Sequence, residues 1–333
     1  DPTATAAELN TIAAATVIPV VLDSDGSAGN AITAVESSSY ADALALFQNA
    51  SAFTGLSASP VIVSGTITVA QANALDALTT GSIVATISDQ SLSTLAGLAG
   101  TGNAYTTVID DTTAAAADLN TLASKLSTSG VININATGTI TGSLADLNTL
   151  YVTNGTVVTN EGNEAITVSD TSIDAGLLTT LNTETSGDIT VNATNIFGQG
   201  DEIVALYDAN PGDQLSGLDG TETLTVKGDA GSPTVIQADD LVALNADTSG
   251  LITIDSSATS ILGSYTHVHA SLTENKLGAG VLTVDDVGAA DTDRTAGTYT
   301  IGASDYTVQG IGTGATFTVT VASNGAATVA VTG

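Results

Sequence analysis

Two short phrases recur along this chain at one common spacing, and that spacing constrains the fold more than any other feature. Leu181 to Ile189 reads LNTETSGDI and Leu244 to Ile252 reads LNADTSGLI, sharing L-N-x-x-T-S-G-x-I at a distance of 63 residues. STSGVINI around Gly130 and TTGSIVAT around Gly81 are weaker copies. A second phrase interleaves with the first: GNAYTTVID from Gly102, GNEAITVSD from Gly162, GTETLTV from Gly220, and GAGVLTV with its second glycine at Gly280. These glycines step by 60, 58 and 60 residues. Repeats of this length mark stacked architectures, in which no single repeat buries its apolar face alone.

Each beat has a readable anatomy. Val131-Ile132-Asn133-Ile134 and Ile252-Thr253-Ile254 alternate as half-buried strands do. A glycine ahead of such a run fits the left-handed end of a preceding helix. In Ser143 to Leu150, the leucines Leu144, Leu147 and Leu150 recur at three-residue spacing, and Ser143 with Asp146 approximates a capping box. Ala117 to Leu122 and Ala7 to Ile12 repeat that pattern. About 30 residues per strand–helix beat suits a crossover between parallel strands. The fold class predicted is α/β: over residues 1–295, a strand–helix repeat solenoid with stacked parallel strands, about ten beats in a two-beat repeat of about 60 residues. Strands are expected to begin near Val131, Ala165, Ile189, Thr223, Leu251 and Val281. Asp23 to Ser39 reads as a loop insertion, and Pro60 opens a strand.

From about Ala296 the helical pattern stops. Thr298 to Ile301, Ala315 to Val321 and Ala326 to Val331 read as strands of a small all-β C-terminal module over residues 296–333. Asn324-Gly325 is a type I′ hairpin signal. The last strand then either pairs across that turn or, left unpaired, completes the sheet of a neighbouring subunit.

Composition sharpens the exclusions. Thirty-five acidic residues against four basic ones give a net charge of −31. Lys125, Lys227, Lys276 and Arg294 are the whole basic inventory, which leaves no footprint for nucleic acid and disfavours anionic lipid. Without cysteine, disulfides, thiolate metal centres and cysteine nucleophiles are excluded. Aromatics are 3% and Trp is absent, so the core is built of Ala, Val, Ile and Leu, which suits shallow regular layers. The most apolar stretch, Thr11 to Leu22, contains Pro19 and falls short of the about 20 residues of a membrane span, so no membrane insertion is expected. The chain opens on Asp1 rather than Met, as a processed chain or a fragment does.

Two residue sets invite a site. His267 and His269 would face one way on a strand and hold a metal. Aligned with GSLADLNTLY, however, they fall on a helix at the places of Asp146 and Asn148, where i and i+2 diverge, and a surface role is expected. The acidic clusters are Asp23-Ser24-Asp25-Gly26, Asp110-Asp111, Asp239-Asp240, Asp285-Asp286 and Asp291-Thr292-Asp293. Of these, Asp23, Asp25, Asp285, Asp286, Asp291 and Asp293 are the calcium candidates, and calcium is the one cofactor they suggest. D-x-D-G resembles the opening of a calcium loop, but no bidentate Glu follows and no G-G-x-G-x-D nonapeptide occurs. Solvated acid at strand ends and helix N-termini is the plainer account. The recurring Asn10, Asn120, Asn148, Asn182 and Asn245 read as a structural ladder. There is no paired-carboxylate site with sugar platforms and no G-x-S-x-G elbow, so no catalytic residue is named and no enzyme is expected.

AADLNTLASKLSTSG, ITGSLADLNTLY and GNEAITVSDTSI resemble the units of very large repeat-containing surface proteins of marine cyanobacteria. GTGATFTVTVASNGAATVAVTG is similar to a β repeat of such proteins and of tail-fibre-like proteins of marine phages. The resemblance covers roughly residues 113–333 well and supplies no catalytic residues. It implies a structural role at a cell surface, outside the cell, or on a virion. Three readings stay open: a self-associating subunit of an extracellular filament, surface layer or appendage; an adhesin or phage fibre segment that binds a receptor or cell-surface glycan; and a calcium-dependent adhesin.

Overall fold

The computed structural model describes residues 3–22, 34–134, 138–159, 163–209, 214–229, 231, 235–255, 258, 260–262, 267, 283–285, 297–301, 316–321 and 327–332. Helices begin where the sequence supplies an acceptor for an orphan backbone N–H. Thr5, Ser39, Thr68, Ser91, Ser143 and Asp174 each stand at an N-cap and accept from the N–H three residues on. Thr5 with Glu8 and Thr68 with Gln71 complete capping boxes. The Ser143 hydroxyl accepts from the Asp146 N–H at 3.1 Å and donates to its carboxylate at 2.6 Å.

Within most of the described helices, residues one, four and seven turn inward, with Ile12 of Ala6–Ala15 an exposed exception. The stripe is clearest in Leu144, Leu147 and Leu150, where the helix Leu144–Asn148 runs on into a π-helical segment, Thr149–Thr153. Residue seven is Leu46, Leu75, Leu122, Leu150, Leu181, Leu206 or Leu244 in the later helices, and all of these are buried. Three-residue spacing drifts around an α-helix and yields the broad apolar stripe that a core-facing helix needs.

The chain divides into two compact parts, Asp1–Ala165 and Ile166–Gly333. In the first, seven strands lie side by side in chain order, every neighbour parallel: Thr3–Thr5, Ala34–Ser38, Val61–Ile67, Ile83–Ile87, Ala104–Ile109, Val131–Ile134 and Val158–Thr159. Thr113–Ala115 pairs with Thr139–Gly142, and Val20–Val21 with Phe53–Thr54, again in parallel. In the second part, Ala165–Val168, Ile189–Val191 and Leu215–Ser216 form one parallel set. Ser172–Asp174, Asn195–Gln199, Thr223–Lys227 and Ile252–Ile254 form another, and Val235–Gln237, Ser260–Leu262 and Thr283–Asp285 a third.

Register explains why few aromatics suffice. Ile173, Ile196, Leu224 and Ile252 are successive partners, and all are buried. Each buried aliphatic side chain contributes about 2 kcal/mol by transfer from water. On the opposite face Asn195 donates to the Ser172 hydroxyl at 2.8 Å and accepts from Thr223 and Thr225 at 3.2 and 3.1 Å. One face of the ladder is aliphatic and the other a chain of hydroxyls and amides.

The expected strand starts at Val131, Ala165, Ile189 and Thr223 are observed, and the next begins at Ile252, one residue late. Val281 lies outside the described residues, and the strand there begins at Thr283. Among the described residues a single strand, Ile83–Ile87, lies between Val69–Asp76 and Leu92–Leu95, but the later helices are separated by two or three. Two strands separate Ala116–Lys125 from Leu144–Asn148, and three separate Thr149–Thr153 from Ala175–Glu184. Two then precede Gly200–Ala209, and three precede Ala238–Asp247. The counts two, three, two and three over these later helices recur every second helix, as the interleaved phrases do.

Three further expectations are corrected. The end of the supposed loop Asp23 to Ser39 is a strand, Ala34–Ser38, whose one buried aliphatic, Val35, is the partner of Val61; a single valine is too weak a pattern to read. Of the glycines ahead of strand runs, Gly102 and Gly220 do adopt the left-handed conformation, whereas Gly81, Gly130 and Gly250 do not. A β-carbon at Gly250 would sit 2.0 Å from the Glu222 carbonyl oxygen, and one at Gly81 2.2 Å from that of Ser59, so these glycines admit close backbone approach. Lastly, Ala327–Thr332 is not unpaired: it runs antiparallel to Thr316–Val321, which pairs in turn with Gly297–Ile301. The Asn324-Gly325 turn lies outside the described residues.

Candidate functional site

The chemistry-bearing side chains converge on the seams between successive rungs, a rung being one helix with the strands that lead into it. Three helices have their first N–H capped from the following rung. Ser38 accepts from Ala6 at 2.8 Å, Asp89 from Val69 at 2.7 Å and Asp111 from Leu92 at 2.6 Å. Residue five of several helices is an asparagine that donates across the seam. Asn10 reaches the Asp42 carbonyl at 3.0 Å, Asn73 that of Gly97 at 2.8 Å and Asn120 that of Asp146 at 2.9 Å. The asparagine ladder is thus observed at Asn10 and Asn120, whereas Asn148 bonds back to Leu144 within its own helix.

The recurring T-S-G phrase is the exit from a helix. Thr248 accepts from the Gly250 N–H at 2.9 Å, and its hydroxyl lies 3.0 Å from both the Gly220 and Glu222 carbonyl oxygens of the rung before. Thr79 and Thr185 make the same turn with Gly81 and Gly187. Glu222, in the second phrase, is a buried carboxylate that sequence reasoning missed. It accepts from the Tyr207 hydroxyl at 2.8 Å and the Asp219 and Gly220 N–H groups at 2.9 and 3.0 Å. Burial, and then this bond to Glu222, push the Tyr207 hydroxyl well above its ordinary pKa. The signal lay in position, because Glu164 and Glu222 both stand two residues before a buried strand aliphatic, and both are buried.

The described lysines serve the same seams. Lys125 donates to the Ala96 and Leu98 carbonyls at 2.7 and 2.8 Å, closing the C-terminal end of the preceding helix. Lys227 lies 4.2 Å from the centre of the Phe197 ring and 3.9 Å from the Asp174 carboxylate, two groups paired on neighbouring strands.

Among the calcium candidates, Asp285 ends the strand Thr283–Asp285 opposite Leu262. Asp23, Asp25, Asp286, Asp291 and Asp293 lie outside the described residues, as does His269. His267 is helical and exposed. Among the described residues no group of three or more His, Asp or Glu side chains is arranged to hold a metal ion, and no helix is long and apolar enough to cross a membrane.

One acidic cluster has its electrostatics written into the packing. Asp240, in the first turn of Ala238–Asp247, packs against Gly200 so closely that a β-carbon there would meet its carboxylate at 2.5 Å. Burial pushes the Asp240 carboxyl up to about 7, and the charges of Asp239, Asp201 and Asp229 add to the shift. Asp247, at the other end of that helix, is raised by burial and by Asp208. No family model, curated protein or solved structure matches this chain.

Proposed function

We propose that this chain is a non-enzymatic structural subunit of an extracellular filament, surface layer or appendage. In this reading residues 1–295 form a solenoid of stacked rungs, residues 296–333 a small all-β module, and copies associate through rung ends and the outer edge of the C-terminal sheet. The observation that supports it is where the polar chemistry is spent: asparagines, buried acids, T-S-G turns and both described lysines bond one rung to the next. Such a surface stores its recognition chemistry in stacking. The charge of −31 opposes lateral clumping, so association should strengthen as salt rises and the screening length falls from about 30 Å to about 8 Å. Negative-stain images and sedimentation velocity, at low and physiological ionic strength, test the reading. Periodic polymers that lengthen with salt support it. A chain that stays monomeric at every salt and protein concentration, or that instead binds glycan as a discrete fibre segment, refutes it.

A further inference from the structure

Asparagine is a thermolabile residue, and most so before glycine, which has no β-carbon to shield its backbone nitrogen from the preceding side chain. Among the described residues this pair occurs once, at Asn154-Gly155, in the turn after the π-helical segment Thr149–Thr153. Gly155 is exposed, and Asn154 is half-buried with its side chain in a relay of amides. It donates to the Asn120 side-chain oxygen at 2.8 Å, and Asn120 donates in turn to the Asp146 carbonyl at 2.9 Å. The Asn154 carbonyl accepts from the Val157 and Val158 N–H groups at 2.8 and 2.9 Å. That turn leads into the strand Val158–Thr159, which pairs with Val131–Ile134. Asn154 therefore ties the helix Ala116–Lys125 to the start of a strand.

We propose that Asn154 is a site of spontaneous covalent modification, where the chain converts its own side-chain amide to an acid through a succinimide. The Gly155 nitrogen loses its proton to solvent base and attacks the Asn154 Cγ. A bond forms between them, the Cγ–Nδ2 bond breaks, and Nδ2 takes up a proton and leaves as ammonia. Water then opens the imide at either carbonyl, to aspartate or isoaspartate, and no electrons are gained or lost. The native backbone sets the pace. At φ −96° and ψ 1° the Gly155 nitrogen eclipses the Asn154 nitrogen instead of its β-carbon, so the ring closes only when the turn opens. Asp219-Gly220 forms the same ring by losing water, but there the Gly220 N–H is held by the Glu222 carboxylate at 3.0 Å.

The product does not fit the relay. An acid at position 154 has no N–H to give Asn120. If Asn120 turns its amide around to donate to the new carboxylate, its oxygen faces the Asp146 carbonyl instead. Either way two acceptors meet in a part-buried seam, which is unfavourable. Isoaspartate also lengthens the backbone just ahead of Val158. The chain thus carries a clock, and each conversion loosens one seam and the strand beside it, whether or not copies assemble.

Incubation of the chain in mildly alkaline buffer, then digestion with a broad protease and mass spectrometry, tests this. Peptides holding Asn154 should acquire the mass of the acid at least tenfold faster than those holding Asn10, Asn73 or Asn120. N154Q should abolish the conversion, because glutamine must close a larger ring. N120A should speed it at least threefold, with far-UV dichroism unchanged. Converted chains, separated by anion exchange, should unfold at lower urea than fresh ones. If Asn154 stays an amide in native buffer while the urea-unfolded chain converts, or converts no faster than the other asparagines, the site is wrong. Converted chains as stable as fresh ones, or an unchanged rate in N120A, overturn the part given to the relay.

Discussion

Gly250 shows how much of this fold is decided at single residues. Its neighbour across the seam is a backbone carbonyl, which cannot swing aside as a long side chain can, so a methyl group there must move a rung. G250A should lose about 2–3 kcal/mol of stability, the range for forcing volume into a packed site. G231A is the control, since a β-carbon at Gly231 meets nothing within 4 Å, and it should change stability little. Urea unfolding of both variants checks this, and a neutral G250A would show that the seam yields. The same reasoning explains why the glycines of T-S-G were misjudged from sequence. Their local context looks like a helix end, whereas the reason for them lies a rung away in the chain.

At the scale of elements, the pair of helices Gly200–Ala209 and Ala238–Asp247 carries carboxylates at both ends of its contact. Asp240 titrates near 7 when folded and near 3.9 when unfolded. Its stabilising contribution is therefore fully present below about pH 4 and is lost as pH rises through about 7. D240N removes that proton. It should match the wild type at pH 4 and unfold at higher urea than the wild type at pH 8; equal midpoints at both values would remove Asp240 from the account. Elements with a strong local signature were legible. Alternation marked Val131–Ile134 and Thr223–Lys227, and leucines at three-residue spacing marked the helices. The companion strands Ser172–Asp174 and Val235–Gln237 were not legible, because each has a single buried side chain, Ile173 or Ile236, and one residue makes no period. Nor were the caps from Ser38, Asp89 and Asp111, whose partners stand 32, 20 and 19 residues away.

For the whole molecule, the scarcity of cations yields a protease test. Lys125 is held by two carbonyls and Lys227 lies in a strand paired with Asn195–Gln199. Trypsin should leave the bonds after both residues intact in native buffer and cut them only at urea concentrations that unfold the chain. Mass spectrometry of timed digests decides, and early native fragments ending at Lys125 or Lys227 would contradict packing around them. The caps at the seams also give the molecule a direction in time. Ala6, Val69 and Leu92 each wait for an acceptor encoded downstream, as Asn10, Asn73 and Asn120 wait for a downstream carbonyl. During synthesis, or passage through a pore with the N-terminus leading, these helices reach their full set of bonds only after the next rung has emerged. Vectorial folding would then trail chain exit by one rung, with the incomplete helix always the newest one.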